Sequence, residues 1–318
     1  MPENPLAYRL GTLALPVQSE RSVRGIGRWR RVALTHSIVV LGRPDLLSPR
    51  LLAANCSYEL VSLMKSEPAI VDAVKVSEFN KPEYMTLYRE LRQKKPLVLH
   101  GLGHNTDLGT GRFDKSLDRQ ALELAVSVAS PSYISVHLLH WIGLESVLVS
   151  PIKLLERLAR DVELIREITG LPVVFENSTL ETGRPGVDLN APFASDAGFI
   201  GEALAATGTQ LLLDLAHAQI TAWHLGEPAA SYVRRLPLHL TREIHMSGPA
   251  LVNGELRGRH VEVQDDGFIL LREILPATPA EVVSLEYGGL GPLFEGRSPA
   301  AVLRRQLLRL RNILAETE

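Results

Sequence analysis

Several things are scarce in this chain, and each scarcity excludes something. There is one cysteine, Cys56, so neither an internal disulfide nor a thiolate-bound metal cluster can form. The 34 basic and 36 acidic residues nearly cancel. A protein built for duplex DNA advertises a basic excess, and none is present. No apolar run approaches the length of a transmembrane helix. The N-terminal stretch MPENPLAYRLGTLALPVQ lacks the basic start and continuous apolar segment of a signal peptide. No G-x-G-x-x-G links a strand to a helix, and there is no P-loop and no serine nucleophile elbow. The expectation is a cytoplasmic protein that engages neither nucleic acid nor membrane.

What is present is a regular alternation. The 318 residues, 45% of them hydrophobic, suffice for one large domain over 1–318. Short apolar runs at 12–17, 72–78, 96–101, 133–138, 171–176, 210–215, 242–247 and 282–287 read as strands buried on both faces. Amphipathic segments at 48–66, 84–94, 114–129, 151–170, 196–208, 229–236, 268–275 and 298–318 read as helices between and after them. Ser48-Pro49 resembles a helix start, and Gly170 a helix stop. Eight strands, each with a helical follower, predict an α/β fold, a (β/α)8 TIM barrel, with a doubly wound open sheet as the alternative. The Arg-rich segment 19–42 fits neither a barrel strand nor a clean helix and reads as an N-terminal elaboration.

The ends of the candidate strands carry the chemistry. In order they finish on Glu78, His100, His137, Glu176, Asp214, His245 and Glu286. A barrel strand is buried, so polar groups there are costly unless paired or bound. The C-terminal rim is where barrel enzymes place their sites. A lone His or Asp at a strand end is more often packing or a helix cap. Six consecutive strands ending this way point instead to a metal site. Imidazole and carboxylate without thiolate suit iron, zinc or manganese. More than four candidate ligands imply two or three ions sharing carboxylates, with Glu176 and Glu286 as the bridges. His217 and His260, read as loop residues just past strand ends, complete the candidate ligand set. Glu176, Asp214 and Glu286 are the candidate catalytic carboxylates. His104, in HGLGHNTD, and Asn177, beside Glu176, are the candidate substrate contacts.

The motifs VVFENS, LLLDLAHA, EIHMSGP, RGRHVEV and VVSLEYGG stand in the order and spacing of the xylose-isomerase-like metal barrels. Over roughly 96–290 the chain resembles the multinuclear non-haem iron-dependent oxidative enzymes related to the methanobactin oxidase MbnB and to TglH. The resemblance implies two or three irons that activate dioxygen. It also implies a peptide substrate, modified at a residue such as cysteine and often delivered by a partner protein. By the same resemblance His100, His137, Glu176, Asp214, His245, His260 and Glu286 are metal ligands. The chain departs from the family at Ala216-His217, where two Asn are usual. It departs again at Gly258-Arg259-His260, where Asp-x-His is usual, leaving Glu262 as the nearby acidic residue. In the fourth strand the usual Ser-acid-His is Ser135-Val136-His137, with Trp141 displaced.

Two other readings follow from the same residues. Asp214-x-x-His217 is similar to the pattern of the three-zinc endonuclease-IV-like barrels, and sugar isomerases of the superfamily hold a divalent metal on two glutamates. A zinc or manganese hydrolase or isomerase is therefore the alternative to an iron oxidase. A degenerate, non-catalytic barrel is the third reading, with Gly258 as the sign of lost chemistry.

Overall fold

The computed structural model describes residues 49–77, 81–102, 108–139, 149–180, 191–291, 294 and 297–317. The barrel lies in a compact unit, Pro44–Glu318. The expected strand at 12–17, the elaboration at 19–42, and Glu78, His104 and Trp141 lie outside the described residues.

Eight parallel strands close into a barrel. They are β1 (Leu51–Asn55), β2 (Ala73–Val76), β3 (Leu97–His100), β4 (Ile134–His137), β5 (Val173–Glu176), β6 (Gln210–Asp214), β7 (Thr241–Met246) and β10 (Val282–Leu285). Helices α1 (Tyr58–Ser66), α2 (Pro82–Arg92), α4 (Arg119–Ala129), α5 (Pro151–Thr169), α6 (Ala197–Thr207), α7 (Leu215–Leu225), α9 (Asp265–Ile274) and α10 (Ala300–Glu316) connect and cover them, with short α3 (Phe113–Ser116) and α8 (Ala229–Val233). An antiparallel hairpin, β8 (Gly248–Val252) and β9 (Glu255–Val261), stands between β7 and α9.

One expectation is corrected. The first half of the segment read as a helix over 48–66 is β1, the strand that closes the barrel between β2 and β10. LLAAN is made mostly of strong helix formers, but Leu52, Ala53 and Ala54 are fully buried in the wall, and burial outweighs propensity. The helix begins only at Tyr58, where the Ser57 hydroxyl accepts from the Leu60 amide. The stretch 114–129 is likewise two helices, because the Asp118 side chain caps α4 through the Ala121 amide.

The two-residue period of the strands sorts the barrel interior into layers. Ala53, Ala73, Val98, Tyr133, Val174, Leu212 and Val282 form an inner cluster of their own. Two residues further along, the inward positions turn polar: Lys75, His100, Ser135, Glu176, Asp214 and Ser284, all buried. Parallel registry then sets His137 beside Glu176 and Asp214 beside His245. Gly248 lets the hairpin fold back onto the rim, since a Cβ there would overlap the Glu262 carbonyl.

Candidate metal centre

Glu176, at the end of β5, is the centre of the site. It is 1% exposed, and among the described residues neither carboxylate oxygen has a hydrogen-bond partner. Yet imidazoles surround it. His100 Nε2 and His137 Nδ1 lie 3.3 and 3.2 Å from Oε2. His217 Nδ1 and His245 Nδ1 lie 3.2 and 3.8 Å from Oε1. These nitrogens are near but not aligned to donate. Donor atoms that share one ion at bonds of about 2.1 Å sit about 3–4 Å apart, which is the spacing seen.

The outer contacts of His100 and His245 explain which nitrogen faces inward. The Ser135 hydroxyl donates to the Leu99 carbonyl at 3.4 Å and so accepts from His100 Nδ1 at 3.0 Å, leaving the His100 Nε2 lone pair for the centre. His245 Nε2 donates to Glu243 Oε1 at 3.0 Å, which leaves Nδ1. His217 differs: its Nδ1, the nitrogen beside Glu176 Oε1, also meets the Asn177 carbonyl at 2.8 Å. An imidazole held this way by an outer partner is the usual second layer of a metal site.

Asp214 ends β6 and caps α7. Its Oδ1 accepts from the His217 amide at 2.7 Å, while Oδ2 is buried with no hydrogen-bond partner among the described residues. His217 therefore stands on the first turn of α7, not on a loop as expected, because the cap starts the helix at once. Asn177 is buried and ties β5 to β6: its Oδ1 accepts from the Asp214 amide at 2.8 Å and its Nδ2 donates to the Asp214 carbonyl at 3.1 Å. That is a scaffolding position, and its side-chain polar atoms are both used there.

Glu286, just past β10, meets His245 Nδ1 at 3.4 Å through Oε1 and His260 Nδ1 at 3.5 Å through Oε2. His260 also differs from expectation, lying on β9 and not on a loop. The β8–β9 register shifts between Gly248 and Pro249, and His260 takes a left-handed φ of 48°. Such a bulge re-aims a side chain. Glu262 pairs instead with Arg305 at 2.6 Å, so it does not supply the carboxylate absent at Gly258.

Two buried charges stand outside the ligand set that the strand ends suggest. Lys75 on β2 is ion-paired to Glu286 Oε1, and its Nζ is 3.4 Å from His245 Nδ1. Glu243 on β7 accepts from Tyr133 Oη at 2.9 Å, from Ser284 Oγ at 2.6 Å and from His245 Nε2.

The electrostatics follow. Burial would raise the Glu176 carboxyl, but His137 and the neighbouring imidazoles hold it well below the usual range. Burial raises Asp214, and the charges of Glu176 and Glu286 add to that. His100 is held well below the ordinary value by burial and by Lys75. Against burial and Lys75, the carboxylates of Glu286 and Glu243 lift His245 to about 10. Three sets of donors converge: His100–His137–Glu176, Glu176–Asp214–His217 and Asp214–His245–Glu286, with ligand atoms within 4.8 Å of one another in each. Unpartnered buried carboxylate oxygens amid imidazole lone pairs are costly without a cation and fit divalent ions.

A model of the RiPP precursor modification enzyme family MbnB/TglH/ChrH matches residues 73–295, a span that covers the rim from Lys75 to Glu286. The chain belongs to this family. A UPF0276 protein of Caulobacter sp. (strain K31) is 28% identical over 165 residues, 50% of this chain and 57% of that protein. One from Bordetella pertussis (strain Tohama I) is 32% identical over 96 residues, 30% of this chain and 32% of that one. The chain thus matches from about a third to somewhat over half the length of these curated relatives. Among solved structures, a xylose isomerase domain containing protein of Salmonella typhimurium LT2 superposes with TM-score 0.56 at 13% identity, covering 83% of this chain and 97% of that one. Endonuclease IV from Thermus thermophilus gives 0.51 at 16%, covering 85% and 100%. These likenesses show the xylose-isomerase-like barrel, and the MbnB/TglH/ChrH match sets this chain in an enzyme family with a candidate metal site at the barrel rim. No helix among the described residues is long and apolar enough to cross a membrane.

Proposed function

We propose that the protein is a multinuclear non-haem iron enzyme that oxidatively modifies a residue, cysteine in first place, of a ribosomally made peptide. The observation that carries this reading is Glu176: a buried carboxylate whose two oxygens have no hydrogen-bond partner among the described residues, ringed by imidazoles from β3, β4, β7 and α7, inside the span shared with a peptide-modifying family. The ligands on this reading are His100, His137, Glu176, Asp214, His217, His245, His260 and Glu286. When bound, iron supplies redox chemistry toward dioxygen and a Lewis acid for a soft donor such as a thiolate.

The chain's own groups do the rest. Ser135 and Glu243 fix the rings of His100 and His245 so that one lone pair of each points inward, and the Asn177 carbonyl holds the ring of His217 beside Glu176. Glu176 presents one oxygen to His100 and His137 and the other to His217, and these residues would hold the metal. His260, 41% exposed in its side chain, is the ligand nearest solvent and marks the side from which a peptide arrives. His104, four residues after the end of β3 in the sequence, remains the candidate substrate contact. A partner protein that delivers the peptide belongs to the same reading.

The test is metal analysis of the protein purified without added metal, followed by anaerobic ferrous loading and exposure to dioxygen with a Cys-bearing candidate peptide. Iron at about two or more per chain with oxygen-dependent change of peptide mass supports the reading. Zinc or manganese with iron excluded moves the chain to the hydrolase or isomerase alternative, which the thiol-free donor set also suits. A chain that takes no metal is the degenerate barrel.

A further inference from the structure

The charge that the metal reading does not use is Lys75. Its side chain is 1% exposed, deeper than most of the donors around it, and it reaches Glu286 Oε1 and approaches His245 Nδ1 at 3.4 Å. Those two atoms are not incidental. His245 Nε2 is committed to Glu243, so Nδ1 is the lone pair that His245 offers a metal. Glu286 Oε1 is the oxygen on the His245 side, whereas Oε2 faces His260. An ion bound to both atoms at about 2.1 Å would occupy the space the ammonium holds. Two cations cannot share that corner.

Charge points the same way. Glu176, Asp214, Glu243 and Glu286 are buried carboxylates. Two divalent ions and one ammonium come close to neutralising them, whereas three divalent ions and the ammonium leave a large positive excess in a buried site, which is costly. The hairpin offers no compensation, because Gly258 brings no carboxylate and Glu262 is paired with Arg305.

We propose that Lys75 is a built-in cation that takes the Asp214–His245–Glu286 corner in place of a metal. The centre then holds two ions, one on His100–His137–Glu176 and one on Glu176–Asp214–His217, and His245 Nδ1, 3.8 Å from Glu176 Oε1, stays available to these ions but not to one shared with Glu286 Oε1. Lys75 is a positioning residue in this arrangement. It keeps Glu286 oriented through Oε1 and leaves Oε2 and His260 on the open side of the centre. The inference rests on the metal-centre reading above.

The test is ion counting on the full chain after anaerobic loading with ferrous iron and gel filtration, together with an anomalous-scattering map of the loaded crystal at the iron edge. The wild type should carry two irons per chain, with no anomalous peak bonded to both His245 Nδ1 and Glu286 Oε1. Lys75→Ala should take up a third iron at that corner, and Lys75→Met, closer in volume, serves if the alanine variant does not fold. A wild-type count of three, or a peak on His245 Nδ1 and Glu286 Oε1 with Lys75 displaced, overturns the proposal. So does a folded Lys75 variant that still holds two. A wild type that binds no iron fails differently: it removes the iron reading itself and this inference with it.

Discussion

Replacing Glu243 by glutamine removes one charge and almost no volume, and its effects separate packing from function. Glu243 is fully buried and accepts three hydrogen bonds, from Tyr133 Oη at 2.9 Å, Ser284 Oγ at 2.6 Å and His245 Nε2 at 3.0 Å. A carboxylate can accept all three, but an amide turns one acceptor into a donor. At least one donor is then stranded in a dry site, and the others lose their charge-assisted strength. A hydrogen bond to a charged group contributes about 1.5–3 kcal/mol, so the metal-free variant should lose about 2–4 kcal/mol in chemical denaturation. The functional effect is separate. Without the carboxylate, His245 is no longer held with Nε2–H outward and Nδ1 inward, and metal affinity should fall about 10–100-fold, as for other outer partners of ligating imidazoles. Competition against a chelator of known affinity measures it. Stability lost with affinity unchanged would refute the argument, because His245 would then be packing rather than a ligand. Unchanged stability would refute the hydrogen-bond cluster itself.

Other expectations are independent of that one. Glu176→Ala and His245→Ala should each abolish metal retention while leaving the far-ultraviolet circular dichroism of the barrel intact; full metal content in either variant would sink the rim assignment. Asp161 on α5 accepts from the Gly109 amide at 2.7 Å, and burial raises its carboxyl from 3.8 to about 6. A raised carboxyl favours the fold below 3.8 and costs stability as pH climbs through 6, so Asp161→Asn should gain about 1–2 kcal/mol at pH 8 relative to its effect at pH 4. A gain that does not vary with pH would refute this. Cys56 is buried, and burial pushes its thiol up to about 12, so the native protein should resist thiol reagents at pH 8 until denatured. Rapid labelling of the native chain would contradict its placement.

The strand ends are legible because each one breaks an apolar run at its last residue, as in LLLD and VVFE, and the closed barrel then gathers them on one rim. β1 is not legible, since LLAAN carries helix formers and only the two flanking strands make it a wall of the barrel. His217 reads as a loop residue because nothing in LLLDLAHA shows that Asp214 caps a helix as well as facing the site. Lys75 and Glu243 are missed for a different reason. Attention to strand ends overlooks inward residues that stop short of the end, yet the two-residue period marks them. Lys75 follows Ala73, and Glu243 precedes His245, on the same inward face. A lysine inside AVKV, four residues with no exposed position, has no solvent to reach and must find an anion within the barrel. That demand is written into AVKV itself, as a cation in the middle of an apolar strand. Its partner is not, because Glu286 lies 211 residues away and only barrel closure brings the two together.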